Sequence, residues 1–562
     1  MNKKKIIIVY HYDKMAKIKL DKFDKIFCLN QNIYNILSNR NLIDKLIKCD
    51  LTYSQKIKII NQEKKFTKKL NNFCNLSNFH ELLKYNIIYL TTEIFRIINN
   101  IDSNLPDNKK LYLYYKNNIF NFKNKKLLIS FLINLFDKEN STIFGLFPSS
   151  THPNNNNFKK LNNFIIQWKL KRRPFYYVSS SIHNSIVKKY LKKNYYSLNI
   201  YPSFNINIFN YIKIFFNNIF KNDLIFINTI QKLESNYYKY RFSDDYNGIY
   251  LQYIKNICLL TDSTIHNLKP ILNLDTYNFG LFDNTRPIIQ STVGSLSKKD
   301  KPSILIPQGS VSRQFKKSFK YEVDRMSNGI AHSNFCTHVI SQSKIHFNYL
   351  NSLNRNFCLI KNQPIFWKFS RNKKKFNGNN KLKFLIASTL KNLRTKNLMY
   401  EDSFEFYNLI KKLSLFLQNN NLSNIKFFIR FRESNELKKE DILPFILKDS
   451  LELSNISSLT EDLSDTDLLL SNSSTCLEEA LNSYIPVGLF SSIGYSHFNN
   501  DNLIKIGEFP ILEFNYLKLS SEIPKNLNIL NRNKNNKELF NKYIWNKRDN
   551  SFTSFINKIY KS

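Results

Sequence analysis

The sequence predicts an α/β protein whose strands lie in parallel sheets. Short apolar runs of four to seven residues, each ending in polar or small residues, recur along most of the chain. That is the mark of strands buried on both faces. Longer stretches of helical period separate them, such as SIHNSIVKKYLKK (181–193) and KIHFNYLNSLN (344–354). Alternation of this kind needs crossover helices between parallel strands. It breaks once, at the basic, Asn-rich and aperiodic KFSRNKKKFNGNNK (368–381), and then restarts. Two α/β sheets joined by one linker are therefore expected.

In chain order, strands are expected in KKIIIVY (4–10), KIFCLN (25–30), TIFGLF (142–147), FYYVSS (175–180) and DLIFIN (223–228). They continue with NICLLTDS (256–263), SILIPQG (303–309), THVISQS (337–343) and FCLIKNQP (357–364). Beyond the linker come LKFLIAS (382–388), IKFFIRFR (425–432), LELSN (451–455), TDLLLSN (466–472) and PVGLF (486–490). The stretches 61–75 and 101–125 are polar and irregular and match neither period. Residues 532–562 end in the amphipathic SFINKIYKS and read as terminal helices. The expected division is an N-terminal unit over 1–367 with irregular insertions at 50–140, the linker 368–381, a C-terminal unit over 382–531, and the terminal helices.

Composition narrows the function less than it first suggests. The 562 residues carry a formal net charge of +41, which at face value points to nucleic acid or an anionic membrane. Yet Lys, Asn, Ile, Phe and Tyr are abundant while Gly (10) and Pro (14) are scarce, preferences that follow A/T-rich codons. The 47 Phe and 32 Tyr are then no proof of stacking platforms. The seven Cys show no C-x-x-C pair and no zinc-ligand spacing with His, so they read as reduced thiols of a cytosolic protein. The apolar IIIVY at the start is ended at once by HYDKMAKIK, unlike a signal peptide. No run approaches the eighteen apolar residues of a spanning helix.

A chain this poor in glycine keeps it where backbone geometry demands it, which singles out Gly309, Gly329, Gly488 and Gly494. In open α/β sheets ligands bind beyond the carboxyl ends of the strands, so the residues after each strand matter most. TDLLLSN is followed by Ser473, Ser474 and Thr475, then Cys476, Leu477, Glu478, Glu479, Ala480 and Leu481. Small hydroxyls and free N–H groups there suit a phosphate, and Glu479, one turn on, suits ribose hydroxyls. An ordinary N-cap with acidic first-turn residues has the same composition.

The strand, the S-S-T-x-x-E-E-A-L turn and the I-P-V of the next strand resemble the nucleotide-sugar-binding half of GT-B glycosyltransferases. IKFFIRFRES (425–434) resembles that family's strand with a basic ending, Arg432 standing where relatives often carry His. SILIPQGSVSRQ (303–314) resembles the strand and turn that end in His-Gly, here Gln308-Gly309. THVISQSKIHFNYLNS and NFCLIKNQP resemble the last strands before the crossover between domains. The resemblance covers roughly 255–500 and is nearest to glycosyltransferase-like proteins of bacterial surface carbohydrate (O-antigen or capsule) biosynthesis.

The resemblance implies two Rossmann-like domains facing each other across a cleft. It implies transfer of a sugar from a nucleotide-activated donor to a glycan or lipid-linked acceptor. Neither metal nor cofactor is implied, because basic side chains and helix N-termini stabilise the leaving phosphate. Arg430, Arg432, Ser473, Ser474, Thr475, Glu479, Gln308 and Gly309 would form the donor site. Retaining members often carry E-x7-E, but Ser471 stands eight residues before Glu479, so inversion is expected. Inversion needs a base in the N-terminal half: Asp262 is the first candidate and Asp283 the second, though either could equally be a cap or turn residue.

Asp465-Thr466-Asp467 spells D-x-D but precedes a strand, where capping of the preceding helix explains it. Asp244-Asp245 sits in a Tyr-rich loop sequence. His332, His338 and His346 lack the spacing for three ligands on one face; His332 and His497 could each line the cleft or simply pack. Within the fold, a nucleotide-sugar 2-epimerase or a teichoic-type polyol-phosphate transferase are alternatives. The rival of another class is a basic nucleic-acid-binding protein, but Lys is spread from end to end and no nucleic-acid motif stands out. A cytoplasmic protein is expected, with no nucleic-acid partner and with basic residues giving peripheral contact with an anionic inner membrane.

Overall fold

A computed structural model describes residues 5–10, 12, 19–105, 111–139, 175–178, 196–199, 237, 246–272, 277–297, 301–307, 309–353, 355–367, 381–388, 398, 401–420, 422–433, 437–448, 450–456, 458–490, 496–515, 517–533, 536–546 and 551–561. Among these, the strands form three sheets, one more than the sequence led us to expect. The expected strands at 142–147 and 223–228 and the helix at 181–193 lie outside the described residues, as does all of the linker except Lys381.

The additional sheet is built from the first 122 residues: β1 (Ile6–Val9), β2 (Lys25–Cys28), β3 (Leu46–Lys48), β4 (Leu111–Tyr115) and β5 (Asn118–Phe122). Its order is β3-β2-β1-β4-β5, parallel except for the β4–β5 hairpin. Lys116 and Asn117 both have positive φ (45° and 64°), as a two-residue turn between right-twisting strands requires. Its helices are α1 (Gln31–Ser38), α2 (Tyr53–Leu76), α3 (Glu81–Asn104) and α4 (Lys125–Glu139). The polar stretch 61–75 is thus the body of α2. A Thr52–Gln55 capping box starts this helix, which buries Ile59, Ile60, Phe66, Leu70, Phe73 and Cys74.

The second sheet holds β6 (Phe175–Val178), β7 (Tyr196–Asn199), β8 (Tyr277–Phe282), β9 (Ser303–Leu305), β10 (His338–Ser341) and β11 (Cys358–Lys361). It runs β7-β6-β8-β9-β10-β11 with every pairing parallel. Its helices are α5 (Asn247–Leu272), α6 (Ile288–Leu296), α7 (Lys317–Ser327) and α8 (Lys344–Asn351). The run NICLLTDS is not a strand: it lies inside α5. Tyr250, Ile254, Ile257, Cys258 and Thr261 are buried at helical spacing, a period that the four-residue apolar run Ile257–Leu260 cannot display.

The third sheet consists of β12 (Leu382–Ser388), β13 (Ile425–Phe431), β14 (Leu451–Leu453), β15 (Leu468–Ser471), β16 (Val487–Leu489) and β17 (Ile511–Glu513). Its order is β14-β13-β12-β15-β16-β17, all parallel. This is the doubly wound order of a Rossmann sheet, with its topological switch between β12 and β15. Flanking it are α9 (Ser403–Asn419), α10 (Lys439–Ile442), α11 (Leu459–Ser464), α12 (Cys476–Asn482) and α13 (Leu519–Asn533). The last helix, α14 (Ser551–Lys561), crosses back: Phe552 and Ile556 pack with Phe279, Leu281, Ile304 and Ile340 of the second sheet. No described helix is long and apolar enough to cross a membrane.

Candidate functional site

The second and third sheets meet through the loops that leave β9 and β15. A Cβ built on Gly309 would lie 2.6 Å from Thr475 Cγ2 and 3.3 Å from Thr475 Cβ, so this glycine permits the approach of the two loops. Thr475 ends the serine-rich turn that leads into α12. One residue on from Gly309, the Ser310 hydroxyl donates to Oε1 of Glu478. The same oxygen contacts His497 Nε2 at 2.9 Å. Ser312 donates to the His497 carbonyl, and Gln314 Nε2 reaches the Ser496 carbonyl at 3.3 Å. The His497 amide donates to the Asn472 carbonyl at 2.9 Å, tying this group to the end of β15.

The Ser310, Ser312, Gln314, Glu478 and His497 side chains are buried, Glu478 at 1% exposure and His497 at 2%. Glu478 Oε2, Asn472 Oδ1 and Gln314 Oε1 have no hydrogen-bond partner among the described residues. A buried polar atom left without a partner costs about 1–3 kcal/mol, which a bound water or ligand group would recover. His346 of α8 lies close enough to feel the Glu478 charge. Burial nonetheless holds its imidazole down at about 4, and its Nε2 faces the Ala331 carbonyl at 3.2 Å.

Glu479, the next residue of α12, is half-buried and its carboxyl is pushed up to about 7 by burial. The other flank of the switch point carries a second such group. Glu401 is buried beyond the end of β12, receives the Ser388 hydroxyl, and is raised to about 8, chiefly by burial. Carboxyls with ionisation near neutrality beside a ligand crevice are suited to donating hydrogen bonds or exchanging protons.

The expected site residues divide by position. Ser473, Ser474, Thr475, Glu479 and Gly309 are brought together at the β9–β15 junction. Gln308 lies outside the described residues, as do Gly494, Asp244 and Asp245. Arg430 points its guanidinium at buried Asp462 (2.8 Å) and the Ile456 carbonyl (2.6 Å). The same carboxylate accepts from Ser454 at 2.6 Å and meets Lys383 at 3.5 Å. Arg432, just past β13, is exposed. Asp283 follows β8 directly, a strand-end position in the second sheet. Asp262 was expected at a strand end and instead lies within the helix α5.

Five of the other singled-out residues have structural positions. Gly329 (φ +86°) sits where a Cβ would strike Arg286 and the Tyr85 hydroxyl, and Gly488 where it would strike Leu470 and Phe514. Asp465 caps the C-terminal end of α11, while Asp467 receives the Lys383 amide at 2.8 Å. His332 is buried against Ser327 at 3.1 Å. Residues not marked in advance are Ser310, Ser312, Glu401 and Glu478. For Glu478 the signal is the E-E pair itself, whose side chains leave a helix about 100° apart and so meet different surroundings.

No family model matches the chain, and no curated protein does. Among solved structures it is similar to the UDP-GlcNAc 2-epimerase from Methanocaldococcus jannaschii, at 12% identity over 69% of this chain and 99% of that one, TM-score 0.38. It is similar to the pneumococcal O-GlcNAc transferase GtfA in complex with UDP and GlcNAc, at 11% identity over 54% of this chain and 60% of that one, TM-score 0.35. A third is S. aureus MnaA with UDP, at 11% identity over 57% and 79% of the two chains, TM-score 0.31. Likenesses at these TM-scores add nothing to what the strands and contacts of this chain show directly.

Proposed function

We propose that this protein binds a nucleotide-activated sugar at the switch point of the third sheet and transfers the sugar to a glycan or lipid-linked acceptor held against the second sheet. The observation that carries the reading is the junction at Gly309 and Thr475. It sets the carboxyl ends of β9 and β15 face to face, and the carboxyl-end crevice at a switch point is where doubly wound sheets take nucleotides. In this reading the amides and hydroxyls of Ser473, Ser474 and Thr475 take the diphosphate. Glu479, with protonated and ionised forms both present near neutrality, bonds the ribose, and Asp283 deprotonates the acceptor hydroxyl in an inverting transfer. Arg432 and Gln308 stay assigned to the donor. Arg430 reaches it only by leaving Asp462, so it holds the neighbouring helix instead. No metal or cofactor is invoked in this reading. The charge of +41 supports peripheral contact with an anionic membrane, where a lipid-linked acceptor would lie; flotation with anionic vesicles tests that part.

Thermal shift with UDP, GDP, CDP and CMP, on the full chain and on Glu479→Gln, tests the donor site. A ligand at about 100 times its Kd adds roughly 2.7 kcal/mol. One nucleotide should stabilise the wild type clearly and the variant less. If all four leave the wild type unmoved, the reading fails. A 2-epimerase is the second reading, favoured by the two raised carboxyls at Glu401 and Glu479. It would convert a UDP-sugar without any acceptor.

A further inference from the structure

We infer that Glu478 is a positioning residue that fixes the nucleotide loop by clasping the second sheet, through Ser310 and His497, so that donor affinity depends on the two sheets being joined. The inference rests on the donor site proposed above. Glu478 and Glu479 are consecutive on the same short helix, so their side chains leave it about 100° apart. In the proposed donor site Glu479 bonds the ribose. Glu478 points into the seam, where Oε1 receives the Ser310 hydroxyl and His497 Nε2. Any shift of Ser310 therefore acts on α12, and through it on Ser473, Ser474 and Thr475 immediately before.

The clasp is built to act as a unit. A carboxylate taken almost wholly out of water requires compensation, and among the described residues Glu478 finds it at Oε1, from Ser310 and His497. His497 is in turn fixed at its backbone from both sheets. Its carbonyl takes the Ser312 hydroxyl and its amide binds the Asn472 carbonyl. Gly309 brings the serine loop close enough, and Gln314 adds a bond to the Ser496 carbonyl. Removing one partner should thus loosen residues on the opposite side of the seam, an effect that ordinary packing between two loops does not produce.

Hydrogen exchange on the full-length, unliganded protein tests the clasp without requiring a nucleotide. In Ser310→Ala the amides of 476–482 and of His497, all on the far side, should exchange about tenfold faster or more, as for loss of a hydrogen bond to a charged group. In His497→Ala the effect should be larger. Adding Glu478→Gln to that variant should recover part of it, because the buried charge is then gone. Faster exchange confined to 309–314, or no recovery in the double variant, overturns the clasp. Whichever nucleotide binds the wild type should bind Ser310→Ala about tenfold more weakly; unchanged affinity despite loosened far-side amides overturns the positioning role. If no nucleotide binds the wild type, the donor reading and with it the positioning role fall, while the exchange data still decide the clasp.

Discussion

Gly309→Ala should open the junction between the two sheets. The new methyl would sit 2.6 Å from Thr475 Cγ2, against a resting carbon–carbon distance of about 3.5–4.0 Å, an overlap of about 1 Å. Thr475 cannot relieve it cheaply, because a β-branched side chain is stiff at χ1 and turning would move its hydroxyl as well. Overpacking of this size costs about 1–3 kcal/mol, or about 5- to 150-fold in a local opening equilibrium, at 1.4 kcal/mol per factor of ten. Native-state hydrogen exchange at the His497 amide, bonded to the Asn472 carbonyl at 2.9 Å, reads that opening directly. Thr475→Ser removes the offending Cγ2 and keeps the hydroxyl, leaving a 3.3 Å contact with Cβ that small shifts absorb. The double variant should therefore exchange nearly as slowly as the wild type. Equal rates for Gly309→Ala and wild type, or a serine that fails to restore protection, would refute the assignment of this glycine to close approach.

Asp462→Ala removes the carboxylate shared by Arg430, Lys383 and Ser454. With Arg430 and Lys383 partly open to water, the loss should be about 2–3 kcal/mol, below that of a fully buried pair. Arg430→Ala should lower Tm similarly and weaken nucleotide binding no more than Asp462→Ala does; a selective loss of nucleotide would return Arg430 to the donor site. Arg96 is completely buried between Glu63 (2.6 Å) and Glu322 (2.7 Å), so Arg96→Met should cost about 3–5 kcal/mol. Adding Glu63→Gln and Glu322→Gln should raise Tm again, and a triple variant no better than the single would count against ionic coupling there. Glu401 is raised to about 8, so the folded state holds its proton longer than the unfolded chain. Its contribution is complete below about pH 4.5 and is lost as pH rises towards 8, at no more than about 1.4 kcal/mol per unit. Glu401→Gln should flatten the fall of Tm across that window, and an unchanged slope would place the effect elsewhere.

The third sheet was legible because its strands are buried on both faces and each ends in a polar turn. LKFLIAS, IKFFIRFR and TDLLLSN became β12, β13 and β15 almost residue for residue. The first sheet was only half legible. β1 and β2 were visible as apolar runs, but α2 presents one buried stripe on an otherwise basic and Asn-rich surface, and β4 and β5 turn on Lys116-Asn117 rather than a glycine. NICLL misled because a single apolar turn of helix and a short strand have the same composition. In the site, the serine-rich turn and Gly309 could be found from strand-end position and from glycine scarcity. The role of Glu478 could not, since it is defined by Ser310, a residue 168 positions away.

The first sheet is more than an N-terminal addition, because α2 ties the other two together. Ile59 and Ile60 pack with Phe282, Val293 and Phe319 of the second sheet's layers. One turn earlier, Lys56 reaches Asp402 (3.5 Å) and Glu405 (2.9 Å) at the capping box of α9 in the third. Burial alone would lower the Lys56 ammonium, yet Asp402 and Glu405 hold it above its usual value, so the ion pair outweighs the loss of solvent. Asn35 of α1 adds a bond to Asp441 at 3.0 Å. The Asp402 cap directly follows Glu401, on the β12 flank of the switch point, whereas the Glu478 clasp lies on the β15 flank. The switch point of the third sheet is thus pinned on both sides by contacts from outside its own sheet. Loss of the Gly309–Thr475 junction alone would leave α2 holding one flank, so release of the clasp and release of Lys56 are separate events. Lys56→Met should loosen the amides of α9 while leaving His497 protected; simultaneous loss at both would mean that the flanks open as one body.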